Sequence, residues 1–240
     1  MLKAVFFDAA GTLFEAREPV GHTYARIARE YGLDAPEAAV IAGFRRAFAS
    51  APVIAFGVDH PPDELRVLER GWWSAVVAES FAGLGEFRDF DGCFEALFAY
   101  FADPAHWEAD TRASAALSSL RQAGLKLGVI SNFDYRLYRL LEGLGLGAYF
   151  DSVTISSEAG YAKPRREIFD AALARHAISA TEAMHVGDSV HHDFEPARAL
   201  GFYAVLLDPA RAHSEFGPAR EARINSLANL SMVTQRLKIA

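Results

Sequence analysis

Short, unbroken apolar runs alternating with helix-length stretches constrain this chain more than any other feature. Residues 4–7 (AVFF), 126–130 (KLGVI), 152–155 (SVTI), 183–186 (AMHV) and 203–207 (YAVLL) are apolar nearly throughout rather than at every second position. That is the pattern of strands buried on both faces of a parallel sheet. Helical stretches at 112–123, 135–144, 166–176 and 194–200 separate the later runs. Strands alternating with helices predict βαβ units, and therefore an α/β fold built on a doubly wound parallel sheet.

Residues 16–105 break the rhythm. They predict helices alone, near 20–31, 36–49, 63–83 and 93–102, with Pro19, Pro36, Pro52, Pro61, Pro62 and Pro104 at plausible helix starts and stops. An all-helical block after the first strand of an α/β unit predicts a second domain. The division is thus a core of 1–15 plus 106–240 and a helical domain of 16–105, with linkers near 15–18 and 103–106. The tail beyond 208 is weakly periodic, and 224–237 is expected to add a final strand and helix.

Composition narrows the partners. The 240 residues carry 24 Lys plus Arg against 31 Asp plus Glu, a formal charge of -7, which gives no electrostatic reason to bind nucleic acid or an anionic membrane. No apolar run approaches the roughly 20 residues of a membrane span. Asp8 interrupts the apolar N-terminus, so a secretory leader is not expected and a cytoplasmic location is. A single cysteine, Cys93, excludes an internal disulfide framework and reads as a small core residue. A monomer or homodimer is expected.

In a parallel α/β sheet the ligand crevice lies outside the carboxyl ends of the strands, so the residues that follow each strand carry the chemistry. Asp8 follows the first run, Ser131 and Asn132 the second, Lys163 the loop after the third, and Asp188 the fourth, with Asp193 five residues on. A carboxylate, a hydroxyl, a lysine and two more carboxylates at one edge point to attack on an anionic electrophile. Asp8 is placed to act as a covalent nucleophile, Ser131 to hold anionic oxygens, and Lys163 to balance developing charge. Asp8, Asp188 and Asp193 offer the hard oxygens that suit Mg²⁺.

The segments FFDAAGTLF, VISNFD, KPRREIF and HVGDSVHHD, in this order, resemble the four motifs of the haloacid dehalogenase (HAD) superfamily, and the helical insertion resembles its C1-type cap. Trp72-Trp73, SNFD and SEAGYAKP resemble the subgroup of HAD-like hydrolase domain-containing protein 3, which brings no settled substrate. The resemblance implies a Rossmann-like core and a Mg²⁺-dependent phosphohydrolase acting on a small phosphorylated metabolite through an aspartyl-phosphate. It implies Asp8 as nucleophile, Thr12 and Asn132 as substrate-binding residues, and Asp188, Asp193 and the main-chain carbonyl of Ala10 as metal ligands. At Ala10 the chain departs from the family's phosphatases, which carry there a second Asp as general acid and base.

Alanine cannot transfer a proton, so alternatives stay open. Another acid can serve, with His22 at the start of the first insertion helix as the candidate, while His191 and His192 are expected as solvent-side loop residues, either of which can line the entrance. A metal-independent 2-haloacid dehalogenase needs no such acid, but Gly187, Asp188 and Asp193 argue against it. A Schiff-base phosphonoacetaldehyde hydrolase is excluded, because residues 16–105 contain no lysine. A protein that binds a phosphorylated ligand with little or no turnover is the remaining class. The many aromatic residues of the insertion are expected to form its core, with one or two rings left to favour a partly apolar substrate.

Overall fold

The unbroken run at the N-terminus becomes the central strand of the sheet. The computed structural model describes residues 1–217 and 220–239. Its strands are β1 (Ala4–Phe7), β2 (Phe14–Ala16), β3 (Trp107–Ala109), β4 (Lys126–Ser131), β5 (Ser152–Ile155), β6 (Ala183–Gly187), β7 (Tyr203–Leu207), β8 (Glu215–Phe216) and β9 (Glu221–Ile224). Six of them form a parallel sheet in the order β5-β4-β1-β6-β7-β9, and β8 adds an antiparallel edge. This is the Rossmann-like α/β architecture that the alternating runs predict.

Both faces of the sheet are covered, which is why its strands are apolar without alternation. Val5 and Phe7 join Leu127, Val129, Met184 and Val186 in a buried cluster with α5 (Ala113–Gln122), α6 (Arg136–Gly143) and α10 (Leu230–Ile239). Ala4 and Phe6 point the other way, into a cluster with α8 (Arg166–Ala174) and α9 (Glu195–Leu200), against which Ala159 of the short α7 (Ser156–Ala159) packs. From β1 the chain builds outward through β4 and β5, then returns to β6 and β7 on the other side. The strand order therefore reverses beside β1, where α/β sheets open a crevice at their carboxyl ends.

Four helices lie between β2 and β3: α1 (Val20–Glu30), α2 (Glu37–Ser50), α3 (Pro62–Ser80) and α4 (Phe90–Tyr100). They bury a cluster of their own that includes Tyr24, Ile27, Val40, Val77, Phe81, Phe94 and Leu97. Cys93 is fully buried in it, and burial pushes its thiol up to about 12, so it is a core residue rather than a reactive one. Polar contacts tie this insertion to the α/β core. Trp73 donates to Asp134 at 2.6 Å, Glu69 accepts the backbone N–H of Tyr135 at 3.2 Å, Ser156 donates to the Ile54 carbonyl at 2.6 Å, and Arg66 lies 3.7 Å from Glu158.

The passages into and out of the insertion are not plain linkers. β2 and β3 pair antiparallel, with Phe14 opposite Ala109 and Ala16 opposite Trp107, and the Phe14 and Trp107 rings meet edge to face at 5.4 Å. Strands of three residues carry too little pattern to be read as periodic. Beyond residue 208, α10 is the helix expected within 224–237, whereas the strand, β9, ends at Ile224 where the expected stretch begins, and β8 is additional. Among the described residues, no helix is long and apolar enough to cross a membrane.

Candidate active site

Asp8 sits one residue beyond β1, held by its own N–H, which donates to the Val186 carbonyl at 2.9 Å. Lys163 reaches it from the loop after β5: the ammonium lies 2.8 Å from Asp8 Oδ1 and 2.6 Å from Asp193 Oδ1. Lys163 is only 1% exposed. Burial works to lower its pKa, but the charges and hydrogen bonds of Asp8 and Asp193 outweigh burial and hold it above the ordinary lysine value. The ammonium is therefore fixed and charged.

Asn132 explains how that lysine is placed. Its side-chain amide donates to the Lys163 carbonyl at 2.9 Å and accepts the Lys163 N–H at 2.7 Å. Asn132 lines the crevice, but its amide is engaged with the backbone of Lys163. Ser131 closes β4 and is 2% exposed at the crevice floor. Thr12, equally buried, donates to Asp188 Oδ1 at 3.4 Å.

Asp193 is buried, and both of its oxygens accept hydrogen bonds. Its Oδ1 meets Lys163 and, at 2.9 Å, His185 Nε2, while its Oδ2 accepts the Ser189 N–H at 3.1 Å. Those opposite charges and donors overcome burial and keep Asp193 well below the usual carboxylate range. Asp188 is the contrary case. Burial and then the neighbouring charges of Asp8 and Asp193 push it up to about 6, against the opposing effects of a backbone N–H and of Lys163. Oxygens of Asp8, Asp188 and Asp193 lie within 4.8 Å of one another, close enough to share a cation. Three carboxylates against one buried lysine leave an excess of negative charge that a divalent ion would offset.

Glycine is required where Asp188 approaches the loop after β1. Gly11 has φ +86°, and a β-carbon there would lie 2.6 Å from Asp188 Oδ2.

The crevice is a cavity of about 540 Å³. Asp8, Ser131, Lys163, Asp188 and Asp193 line it on the sheet side, and Phe48, Trp72 and Trp73 on the helical side. Of the residues singled out in the sequence, Asp8, Ala10, Ser131, Asn132, Lys163, Asp188 and Asp193 line this cavity, while Thr12 and His191 do not. His192 lines the cavity too, its pKa lowered by burial and by neighbouring His191. His22 does not line it; its Nδ1 faces Glu37 at 3.1 Å.

Sequence reasoning passed over His185, which reads as part of an apolar strand, and the buried group around Asp134. Arg136 donates to both oxygens of that carboxylate, at 2.9 and 2.6 Å, and Trp73 donates to it from α3. Glu69, fully buried on the same helix, stands in sequence between Arg66 and Arg70, which gives no sign of its burial. Asp134 stands within the SNFD segment, and that segment was the one available signal.

A family model described as haloacid dehalogenase-like hydrolase matches residues 2–201. HAD-like hydrolase domain-containing protein 3 from Bos taurus is 35% identical over 219 residues, covering 87% of this chain and 85% of that protein. A glyceraldehyde 3-phosphate phosphatase from Methanocaldococcus jannaschii is 36% identical over 124 residues, 51% of this chain and 54% of that protein. In fold, the chain is similar to a HAD phosphatase from Thermococcus onnurineus, with a TM-score of 0.68 at 23% identity, covering 97% of this chain and 98% of that one. It is equally similar to an L-2-haloacid dehalogenase from Xanthobacter autotrophicus, with a TM-score of 0.70 at 18% identity, covering 98% and 99%. With the ordered segments now assembled around Asp8 and the family model spanning most of the chain, this protein belongs to the haloacid dehalogenase-like hydrolase family.

Proposed function

We propose that the protein is a Mg²⁺-dependent phosphohydrolase that acts on a small phosphorylated metabolite through an aspartyl-phosphate on Asp8. The observation that carries this reading is the cluster of Asp8, Asp188 and Asp193, with oxygens within 4.8 Å and one buried lysine among them. A metal-free dehalogenase has no use for Asp188 so placed.

The donor set fits Mg²⁺, which takes few carboxylates and keeps several waters. Asp8, Asp188 and the Ala10 main-chain carbonyl would hold it directly. Asp193, with both oxygens already accepting protein hydrogen bonds, would reach it through water. When bound, the ion supplies positive charge against the phosphoryl oxygens.

Lys163 anchors Asp8 Oδ1 and leaves Oδ2 to attack phosphorus, while the Ser131 hydroxyl donates to a phosphoryl oxygen. The Oδ2–P bond forms as the P–O ester bond breaks, and the electron pair leaves on the ester oxygen. Water then attacks the phosphorus, regenerates the Asp8 carboxylate and releases phosphate. Residues 16–105 act as a cap over the site and select the substrate, and the 1–15 and 106–240 segments are the catalytic core. Thr12 keeps Asp188 oriented, and Asn132 keeps Lys163 oriented.

The test is phosphate release from acetyl phosphate and a panel of phosphate monoesters, with Mg²⁺ and with EDTA, for the protein and for Asp8→Asn. Release that needs Mg²⁺ and is abolished in a folded Asp8→Asn supports the reading. Full activity in Asp8→Asn sinks the nucleophile, and turnover of 2-haloacids in EDTA moves the assignment to a dehalogenase.

A further inference from the structure

Beside the charged crevice lies a second chamber of about 180 Å³. It is walled by aromatic and aliphatic side chains, among them Phe44, Phe94, Phe98 and Trp107. Its one charged neighbour, Arg136, has its charge committed: it donates to Asp134 and lies over the faces of Phe98 and Trp73, 4.1 and 4.8 Å from the ring centroids. The chamber and the crevice share Ala10, Phe48, Trp73 and Phe133, so they are adjoining rooms of one site. A dry cavity of roughly 150 Å³ suffices for a benzene ring.

Ala10 stands on the wall between the two rooms, and it brings no proton to a departing oxygen. The burden of protonation falls with the acidity of the leaving group. A phenol ionises near pH 10, whereas simple alcohols resemble water at about 16. An aromatic chamber beside the reacting oxygen and the lack of an acid at the same spot therefore ask for the same kind of substrate.

We infer that this apolar chamber seats the leaving group, and that the substrates are phosphate monoesters of phenols, with the aryl ring held among Phe94, Phe98 and Trp107. This rests on the phosphohydrolase reading and specifies its substrate class. Asp8 Oδ2 bonds to phosphorus as the P–O(aryl) bond breaks. The electron pair departs on the phenolate oxygen, which takes its proton from water, and a second water releases phosphate from Asp8.

The experiment compares kcat/KM for phenyl phosphate, glycerol phosphate and acetyl phosphate in the protein and in Val77→Phe, which fills the chamber from α3. Because intrinsic reactivity is the same for both proteins, the change in the phenyl-to-acetyl ratio reports the chamber alone. The expected result is phenyl phosphate favoured over glycerol phosphate by about a hundredfold, with the phenyl-to-acetyl ratio falling about tenfold in Val77→Phe. Phe98→Ala, which enlarges the chamber, is expected to move the preference from phenyl towards 1-naphthyl phosphate, and it decides the matter if circular dichroism shows Val77→Phe misfolded. Acetyl phosphate hydrolysis with unchanged ratios in the folded variants, or equal use of glycerol phosphate, overturns the aryl assignment and leaves the phosphohydrolase standing. No release of phosphate from any of the three overturns both.

Discussion

Trp73 donates its indole N–H to Asp134 at 2.6 Å, across the boundary between the helical insertion and the sheet. The carboxylate is fully buried and is also held by Arg136, so the indole joins an existing ion pair rather than a neutral acceptor. A hydrogen bond to a charged group contributes about 1.5–3 kcal/mol. Trp73→Phe keeps a ring in place and removes the donor. Thermal denaturation is expected to show a midpoint lower by several degrees, at roughly 2–4 °C per kcal/mol for a chain of this size. An unchanged midpoint would mean that the contact does not tie the insertion down.

Gly11 gives a second measurable constraint. Its φ of +86° and the 2.6 Å approach of a virtual β-carbon to Asp188 Oδ2 act together. Gly11→Ala is expected to lose about 1–2 kcal/mol from backbone strain alone. It is also expected to weaken Mg²⁺ binding, because Asp188 must turn away. Isothermal titration with Mg²⁺ separates the two effects, and unaltered affinity in a destabilised variant would show that Asp188 is not displaced.

The raised pKa of Asp188 sets a pH dependence with a definite sign. An acid whose pKa climbs from 3.8 unfolded to about 6 folded is destabilising when ionised. That cost is absent below the unfolded value, grows between the two, and is complete above the folded one. In EDTA, Asp188→Asn is therefore expected to melt higher than the parent protein at pH 8, with the gain shrinking through pH 6 and gone near pH 3. The side chain is partly exposed, so screening keeps the gain small. A lower midpoint for Asp188→Asn at pH 8 would contradict the crowding of carboxylates described here.

The sheet was legible because its physics is local: AVFF and YAVLL are buried on both faces, and short apolar runs of four or five residues that alternate with helix-length stretches fit parallel strands. The crevice was legible for the same reason, since the residue after each strand is fixed by the strand. The β2–β3 ribbon was not, because three residues hold no period. Nor was the engagement of Asn132 with the backbone of Lys163 31 residues away, which is a product of tertiary placement. Glu69 and Asp134 show the same limit. A buried carboxylate is betrayed only by its partners, and here Arg66 and Trp73 on α3 meet Tyr135 and Arg136 at the start of α6, more than 60 residues away.

Ala10 offers the sharpest test of the chemistry. It faces the crevice beside Asp8, where a carboxyl group would stand close to a departing ester oxygen. A positioned general acid contributes about 10²–10⁴ in rate, but only where the leaving group needs its proton. Ala10→Asp is therefore expected to raise turnover of alkyl phosphates such as glycerol phosphate by about 10² or more, while acetyl phosphate, whose leaving group departs as an anion, gains little. Steady-state phosphate release on the two substrates reads the difference directly. An equal rise on both would place the benefit of the new carboxylate in metal binding rather than proton transfer. No rise on either would show that the acid role at this position has no geometry left to serve.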